Sequence, residues 1–151
     1  MDHLEDIIPF LLRAKRETYA GNGPHMLSSR PNSVDLAYRE GDWLYIDTYL
    51  GGIDFAGEEA VWVDQRPIWS MNYYGRMFTE PTPDGFGEFL KAALRGVPAN
   101  APYRGPELFE AGRFRYQCSW EGRLAFFNGR ETIALDGQMI YELLFHGGQI
   151  R

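Results

Sequence analysis

The chain has 151 residues, enough for one domain that buries a core without a disulfide or a structural metal. Apolar residues make up 44% of it and aromatic residues 15%, which is the composition of a folded protein. The 15 basic and 21 acidic residues give a net charge of −6, which argues against nucleic-acid binding because phosphate backbones attract basic surfaces.

The sequence also argues against metal binding, secretion and membrane insertion. Cys118 is the only cysteine, which excludes an internal disulfide and a cysteine-based zinc site. The three histidines show no metal-ligand spacing, so we expect neither a metal nor another cofactor. The acidic N-terminus does not resemble a signal peptide, and no apolar segment is long enough to span a membrane. We therefore expect a cytoplasmic protein with no membrane partner.

In the first half of the chain, the sequence predicts a helix followed by four strands. Apolar residues recur at helical spacing between Leu4 and Tyr19, although Pro9 suggests that the helix starts near it. A loop rich in Gly, Pro and Ser follows. Alternating segments predict strands at 34–39, 43–50, 55–63 and 68–74, with hairpin turns at 40–42 and 64–67.

The second half repeats this order. A helix is predicted from Asp84, as its N-cap, to Arg95, with Gly96 directly after it. A Pro-rich loop follows. Strands are predicted at 114–120, 123–135 and 138–146, with a kink at residues 128 and 129 and a two-residue hairpin turn at residues 136 and 137.

The two halves are also similar residue by residue. When residues 55–75 are aligned with residues 127–147, six of the 21 positions are identical, where composition alone gives about one or two. The identical pairs are Phe55/Phe127, Gly57/Gly129, Glu59/Glu131, Asp64/Asp136, Ile68/Ile140 and Gly75/Gly147. We predict one α+β domain, mainly of antiparallel strands with two helices, internally duplicated as halves 1–78 and 79–151.

Strand alternation separates an apolar face from a face that mixes rings with polar groups. In strand 43–50, Leu44, Ile46 and Leu50 are assigned to the core. The opposite face then has the composition of a ligand-binding wall: rings with polar tips, a carboxylate and an amide. Its members are Trp43, Tyr45, Asp47, Tyr49, Trp62, Asn72 and Tyr74. The alternative is that this face packs against the other half or against a dimer partner.

The matching positions of the second half are polar and carry no rings. They are Gln117, Ser119, Glu121, Arg130, Thr132, Glu142 and His146. If the halves face each other, the aromatic wall meets a polar wall. Arg104, Glu142 and His146 are then expected at the edge of the site.

Glu59 and Glu131 are carboxylates among apolar neighbours, and such a group must be paired or have a raised pKa. Arg30 and Arg104, each in the loop after a helix, are the available partners. Arg–Glu pairs of this kind would fasten the loops to the sheet. Cys118 is expected to be an inert buried thiol, aligned with Ile46 of the first half.

Several segments together resemble a bacterial family of uncharacterised domains. They are AKRETYA at 14–20, YIDTYLGGIDFAGEEAVW at 45–62, PIWSMNYYG at 67–75, PYRGP at 102–106 and YELLFHGGQIR at 141–151. Members of that family occur alone or C-terminal to Xre-type helix-turn-helix regulators. The resemblance implies a sensing or partner-binding role and supplies no catalytic residues. Because this chain lacks the helix-turn-helix segment, we do not expect it to bind DNA itself.

Three functions remain open. The first is a small-molecule binding or sensor domain for a polar, cationic or planar ligand, bound by Tyr45, Asp47, Tyr49, Trp62, Asn72 and Tyr74. The second is a hydrolase-like enzyme in which Glu142 and His146, or Glu59, act as general acid and base. The third is a homodimeric interaction module that buries Trp43 and Trp62.

Overall fold

The structure, a computed structural model, describes residues 4–18 and 25–151. Within these ranges the chain forms two helices and one nine-stranded sheet, in which all neighbouring strands are antiparallel. This arrangement confirms the predicted α+β class, with most of the fold in the sheet. In the described part of the chain, no helix has the length and hydropathy needed to cross a membrane.

The elements follow the predicted order of helix and strands in each half. They are α1 (Leu4–Glu17), β1 (His25–Met26), β2 (Val34–Glu40), β3 (Trp43–Gly51), β4 (Phe55–Val63), β5 (Arg66–Met77), α2 (Phe86–Arg95), β6 (Leu108–Ala111), β7 (Phe114–Arg123), β8 (Phe126–Leu135) and β9 (Gln138–Gln149). The strands β1 and β6 were not predicted, because segments of two and four residues are too short to show an alternation of apolar and polar side chains.

Three local predictions are wrong. Pro9 lies inside α1 rather than at its start, because buried Ile7, Phe10 and Leu11 hold the helix together on both sides of it. The N-cap of α2 is Gly85, in the left-handed region with φ of 83°, and not Asp84. The kink predicted at residues 128 and 129 is absent, since β8 runs unbroken from Phe126 and the chain turns just before it.

The sheet joins the two halves edge to edge. Its order is β1-β2-β3-β4-β5-β9-β8-β7-β6, so each half is a meander and the last strands of the two meanders pair. Tyr73 of β5 pairs with Phe145 of β9, and these residues are counterparts in the alignment of the halves. An approximate two-fold axis therefore passes between them. The expectation that an aromatic wall faces a polar wall is wrong, because the halves lie side by side in one sheet.

Aromatic contacts repeat across this axis. One phenylalanine of each helix packs on two rings of the sheet, with ring centroids 5.0–5.7 Å apart. The contacts are Phe10 with Tyr38 and Trp43, and Phe89 with Phe109 and Phe114. In the sheet, Phe55 stacks on Tyr141 and its counterpart Phe127 stacks on Trp69. These matched contacts show that the two helix-plus-strand units are arranged alike, and their origin by duplication stays a prediction.

The helices cover the face of the sheet that was assigned to the ligand wall. In β3, Tyr45 and Asp47 are buried beneath the helices, whereas Leu44 and Ile46 are half-buried on the opposite, open face. The assignment of the core face in this strand is therefore wrong. It failed because both faces carry large apolar side chains, so alternation alone could not say which of them the helices cover.

Candidate functional site

The nine predicted site residues lie on both sides of the sheet. Tyr45, Asp47 and Tyr49 are on the helix-covered face together with Val61, Glu59 and Gly57, because the odd-numbered residues of β3 pair with the odd-numbered residues of β4. Trp62, Asn72 and Tyr74 are on the open face. The predicted ligand wall therefore does not exist as one surface. Arg104 lies in the interior, near Asp47 and not at the edge of an open site.

On the open face, the structure brings only some of the predicted residues together. Asn72 pairs with His146 across β5 and β9, and His146 lines a surface pocket of about 450 Å³. Glu142 accepts a hydrogen bond from Arg130 Nε at 2.7 Å and lies four residues from His146, about 13 Å along the strand. A direct proton transfer between Glu142 and His146 is therefore out of reach. Trp62 lies on this face, whereas Trp43 packs on Phe10 under α1.

Beneath the helices lies a cluster of buried polar side chains, which begins at Asp47. The Tyr73 hydroxyl donates a hydrogen bond to Asp47 Oδ1 at 2.6 Å. Glu59 pairs with Asp47 across β3 and β4 and forms a buried ion pair with Lys15 of α1. Lys15 Nζ also donates to the carbonyl of Tyr103 at 2.6 Å. The Lys15 side chain thus ties the helix, the sheet and the loop before β6 together.

The second part of the cluster is centred on Glu131. Arg104 donates two hydrogen bonds to its carboxylate, from Nε at 3.0 Å and from a terminal nitrogen at 2.9 Å. The hydroxyls of Tyr116 and Tyr141 donate to the same carboxylate at 2.6 and 2.8 Å. The predicted Arg104–Glu131 pair is confirmed. The predicted Arg30–Glu59 pair is wrong, since Arg30 is exposed and Lys15 is the partner of Glu59.

The charges of this cluster do not balance. Among the described residues, three carboxyl groups and two cationic side chains are buried in it: Asp47, Glu59, Glu131, Lys15 and Arg104. Burial, with a further contribution from the charge of Glu59, raises the pKa of Asp47 to about 7. Burial lowers the pKa of Lys15, although Glu59 opposes the shift. Asp47 is therefore the carboxyl group that binds the proton needed to balance these charges, and it titrates near neutral pH.

The tyrosines of the cluster remain hydrogen-bond donors. Burial and nearby carboxylates raise the pKa values of Tyr45, Tyr73 and Tyr116 well above the usual value of 10.0. The Tyr45 hydroxyl has no hydrogen-bond partner of normal geometry among the described residues, and the Thr18 hydroxyl is the polar group beside it. Cys118 is buried as predicted, and burial raises the pKa of its thiol to about 12, so it is unreactive. In register, Cys118 is the counterpart of Asp47 and not of Ile46.

A pocket opens on the helix-covered face where α2 meets the turn between β3 and β4. Its volume is about 310 Å³, and we refer to it as the hairpin pocket. Among the described residues, four rings, one leucine and two glycines line it: Tyr49, Phe55, Tyr73, Phe86, Leu90, Gly51 and Gly52. Tyr73 connects it to the polar cluster, because the same side chain lines the pocket and donates to Asp47.

The same place in the second half of the molecule is filled. The counterparts of Tyr49, Phe55 and Tyr73 are Trp120, Phe127 and Phe145. The ring of Tyr103 contacts all three, with its centroid 4.0 Å from Phe127, 5.9 Å from Phe145 and 6.4 Å from Trp120. Tyr103 therefore fills, in the second half, the space that corresponds to the open hairpin pocket of the first half.

Sequence reasoning missed Lys15, Tyr73, Tyr103 and the pocket residues of α2. One signal was present for Lys15, which follows Leu11 by four residues and so continues the apolar stripe of α1. Tyr73 shares strand parity with Trp69 and Met71, which a correct face assignment would have placed inside. Tyr103 gave no periodic signal, because it lies in an irregular loop.

In the described ranges, no group of three or more His, Cys, Asp or Glu side chains is arranged to hold a metal ion. No curated protein matches the chain, and no solved structure matches it. In a comparison with protein families, residues 47–150 match the domain of unknown function DUF5680. This match covers β4 to β9, α2 and most of β3, and therefore both halves of the pseudo-symmetric sheet. The chain belongs to the DUF5680 family.

Proposed function

We propose that this chain is a small-molecule binding domain and that its ligand occupies the hairpin pocket. The observation that carries the proposal is the pocket itself, a space of about 310 Å³ lined by aromatic rings that include Tyr73, whose hydroxyl donates to buried Asp47. Small-molecule sites typically combine an apolar lining with a few fixed polar groups. Tyr73 and Asp47 supply that polar part, and the rings of Phe55 and Phe86 supply the apolar part.

The position of the pocket suits a sensor. A ligand in it would contact Phe86 and Leu90 of α2 and, at the same time, Tyr49 and Phe55 of the sheet. Binding would therefore stabilise the packing of α2 on the sheet, since a ligand stabilises the state that it binds. The resemblance to domains found behind bacterial helix-turn-helix regulators agrees with a sensing role, which stays a prediction.

The polar cluster does not favour the enzyme alternative. Glu59 is paired with Lys15, and Glu131 accepts from Arg104, Tyr116 and Tyr141, so both carboxylates serve to hold the fold together. The homodimer alternative stays a prediction. The two tryptophans that it invoked lie on opposite faces of the sheet, so a single contact would not bury both.

A backbone-amide NMR titration with a mixed set of small aromatic and aliphatic compounds tests the proposal. We expect saturable shifts centred on Gly51, Gly52 and Leu90. Gly52→Trp is the blocking variant, because an added side chain meets no atom within 4 Å at Gly52 and the residue lines the pocket. Gly87→Trp is the matched control, since Gly87 is an exposed glycine with equal room and lies outside the pocket lining.

Binding to the wild type and to Gly87→Trp but not to Gly52→Trp supports the proposal. Shifts that remain in Gly52→Trp, or a complete lack of shifts around the pocket in the wild type, contradict it.

A further inference from the structure

We propose that the ligand of the hairpin pocket is a planar aromatic ring that carries a hydrogen-bond donor, such as a phenol or an indole. This inference rests on the proposed function, because it specifies what the same pocket binds. It comes from the comparison of the pocket with its filled counterpart, and from the polarity of the groups that border it.

The filled counterpart shows what this space accepts. In the second half, the occupant is the phenol ring of Tyr103, stacked on Phe127 with an angle of 19° between the ring planes. Phe55 is the counterpart of Phe127 and lines the hairpin pocket. Since Tyr49, Phe55 and Tyr73 correspond to the three rings that hold Tyr103, the pocket presents an equivalent set of surfaces to a planar ring.

The chain itself does not fill the hairpin pocket with a matching side chain from its described loop. Residues 101–105 are all buried, and they carry Tyr103 into the interior. If Arg30 is aligned with Arg104, the position that corresponds to Tyr103 is Ser29. Ser29 and Arg30 are exposed, and Leu27 is fully exposed, so this described stretch of the loop lies on the surface. No side chain of that described stretch therefore takes the place of Tyr103 in the hairpin pocket, and we assign the space to a separate molecule.

The volume of the pocket limits the size of the ligand. At about 310 Å³, it lies at the lower end of the range for small-molecule sites, roughly 300–1,000 Å³. An apolar cavity of about 150 Å³ is known to accept benzene. One ring with a substituent, or a fused pair of rings, suits the hairpin pocket.

The polar border selects a ligand that donates a hydrogen bond. Tyr73 lines the pocket, and its hydroxyl hydrogen is engaged by Asp47, so its oxygen is left to accept a hydrogen bond from a ligand. An anionic ligand is disfavoured because burial of its charge carries a desolvation cost, and no described residue of the pocket lining is a cation that could offset this cost. A neutral phenol or indole meets both conditions, whereas an aromatic carboxylate meets neither.

The test uses four probes of similar size. They are para-cresol, para-methylanisole without the donor, methylcyclohexanol without the planar ring, and para-toluate with a negative charge. Each probe is titrated into the wild type, Gly52→Trp and Gly87→Trp, and the shifts at Gly51, Gly52 and Leu90 are followed by NMR. We expect para-cresol to bind the wild type and Gly87→Trp at least about tenfold more tightly than any other probe, because one hydrogen bond alone is worth about this factor.

The outcomes separate this inference from the proposed function. If methylcyclohexanol or para-toluate binds in the pocket as tightly as para-cresol, the ligand class is wrong, but small-molecule binding stands. If para-methylanisole equals para-cresol, the requirement for a donor is overturned. If none of the four probes moves the pocket resonances of the wild type, both the ligand class and the proposed function fail.

Discussion

The two loops that follow the helices differ in the stretches around Arg30 and Arg104. The loop after α2 inserts residues 101–105 into the interior, where Tyr103 fills a ring-lined space and Arg104 neutralises Glu131. In the first half, the stretch around Arg30 lies on the surface. The comparison teaches that a pseudo-symmetric sheet has two similar ring-lined spaces, and that the loop after α2 fills one of them.

The same difference explains where the buried charges come from. Glu131 takes its cation from the loop, as Arg104, whereas Glu59 takes its cation from the helix, as Lys15. The counterpart of Lys15 in α2 is the apolar Leu94. Lys15, on the core face of α1, thus supplies the positive charge for Glu59 that the exposed Arg30 does not.

The largest expected effect is the difference in unfolding free energy between variants of the two loop arginines, Arg104 and Arg30. Arg104→Met removes the partner of a fully buried carboxylate and should lower the free energy of unfolding by about 3–5 kcal/mol. Arg30→Met, at the exposed counterpart, should change it by less than about 0.5 kcal/mol. Urea unfolding measures both, and equal losses in the two variants would contradict the distinction between the loops.

The second effect concerns the side chain that fills the second-half cavity. Tyr103→Ala should destabilise the fold by about 3 kcal/mol, because it removes a buried ring and leaves a cavity. Ser29→Ala is the matched control and should be neutral, since Ser29 is exposed. Denaturant midpoints compare the two, and a loss below about 1 kcal/mol in Tyr103→Ala would mean that its ring does not fill a defined space.

The third effect is a pH dependence of folding stability that comes from Asp47 in the first half, whose counterpart in the second half is Cys118. The folded state holds the pKa of Asp47 at about 7, against an ordinary value of 3.8, so folding takes up a proton between these pH values. The unfavourable contribution of Asp47 to folding therefore grows as the pH rises through this window and is constant above it. Asp47→Asn keeps the acceptor for Tyr73 and removes the titration.

Relative to Asp47→Asn, the wild type should lose stability when the pH is raised from about 5 to about 8. Urea unfolding of both proteins at the two pH values gives the difference, in which the other titrating groups cancel. A difference that does not change with pH would show that Asp47 is ionised throughout.

The smallest expected effect compares two buried tyrosines at equivalent positions. Tyr116→Phe removes a hydroxyl that donates to Glu131 and accepts from the backbone of Gly105, so it should cost about 1–2 kcal/mol. Tyr45→Phe removes a buried hydroxyl that has no partner of normal geometry among the described residues, and it should cost less than about 0.5 kcal/mol. Thermal unfolding ranks the pair, and the reverse order would contradict the assigned contacts.

Local patterns predicted much of the fold. Hairpin turns are present where they were predicted, although the turn predicted at 64–67 is shorter and spans only residues 64 and 65. Asp64 and Asp136 have positive φ, and their amides bond to equivalent carbonyls, those of Asp42 and Arg113. The identical glycines also have a physical reason: a side chain at Gly57 would collide with the Tyr73 ring, as one at Gly129 would with Phe145. Each of these features depends on a few neighbouring residues, which a sequence can reveal.

The candidate site could not be predicted because it depends on which face the helices cover. The alignment of the halves shifts by one residue at the turn before β4, where Gly51 precedes Phe55 by four residues and Gly122 precedes Phe127 by five. This shift aligned Cys118 with Ile46 instead of Asp47, because a slip of one residue moves every side chain to the other face. The partners of Asp47 and Glu59 come from distant elements, and strand alternation carries no information about them.

The central claim is that the hairpin pocket and the Tyr103 site are the open and the filled version of one ring-binding space. The most direct measurement is the number of para-cresol sites, resolved by backbone-amide NMR, in the wild type and in Tyr103→Ala. We predict one site in the wild type, at Gly51 and Gly52, and in Tyr103→Ala a second site near Gly122 and Phe127, with recovery of stability on binding. Binding to Tyr103→Ala near Gly122 alone, with no site at the hairpin pocket in either protein, would contradict the claim.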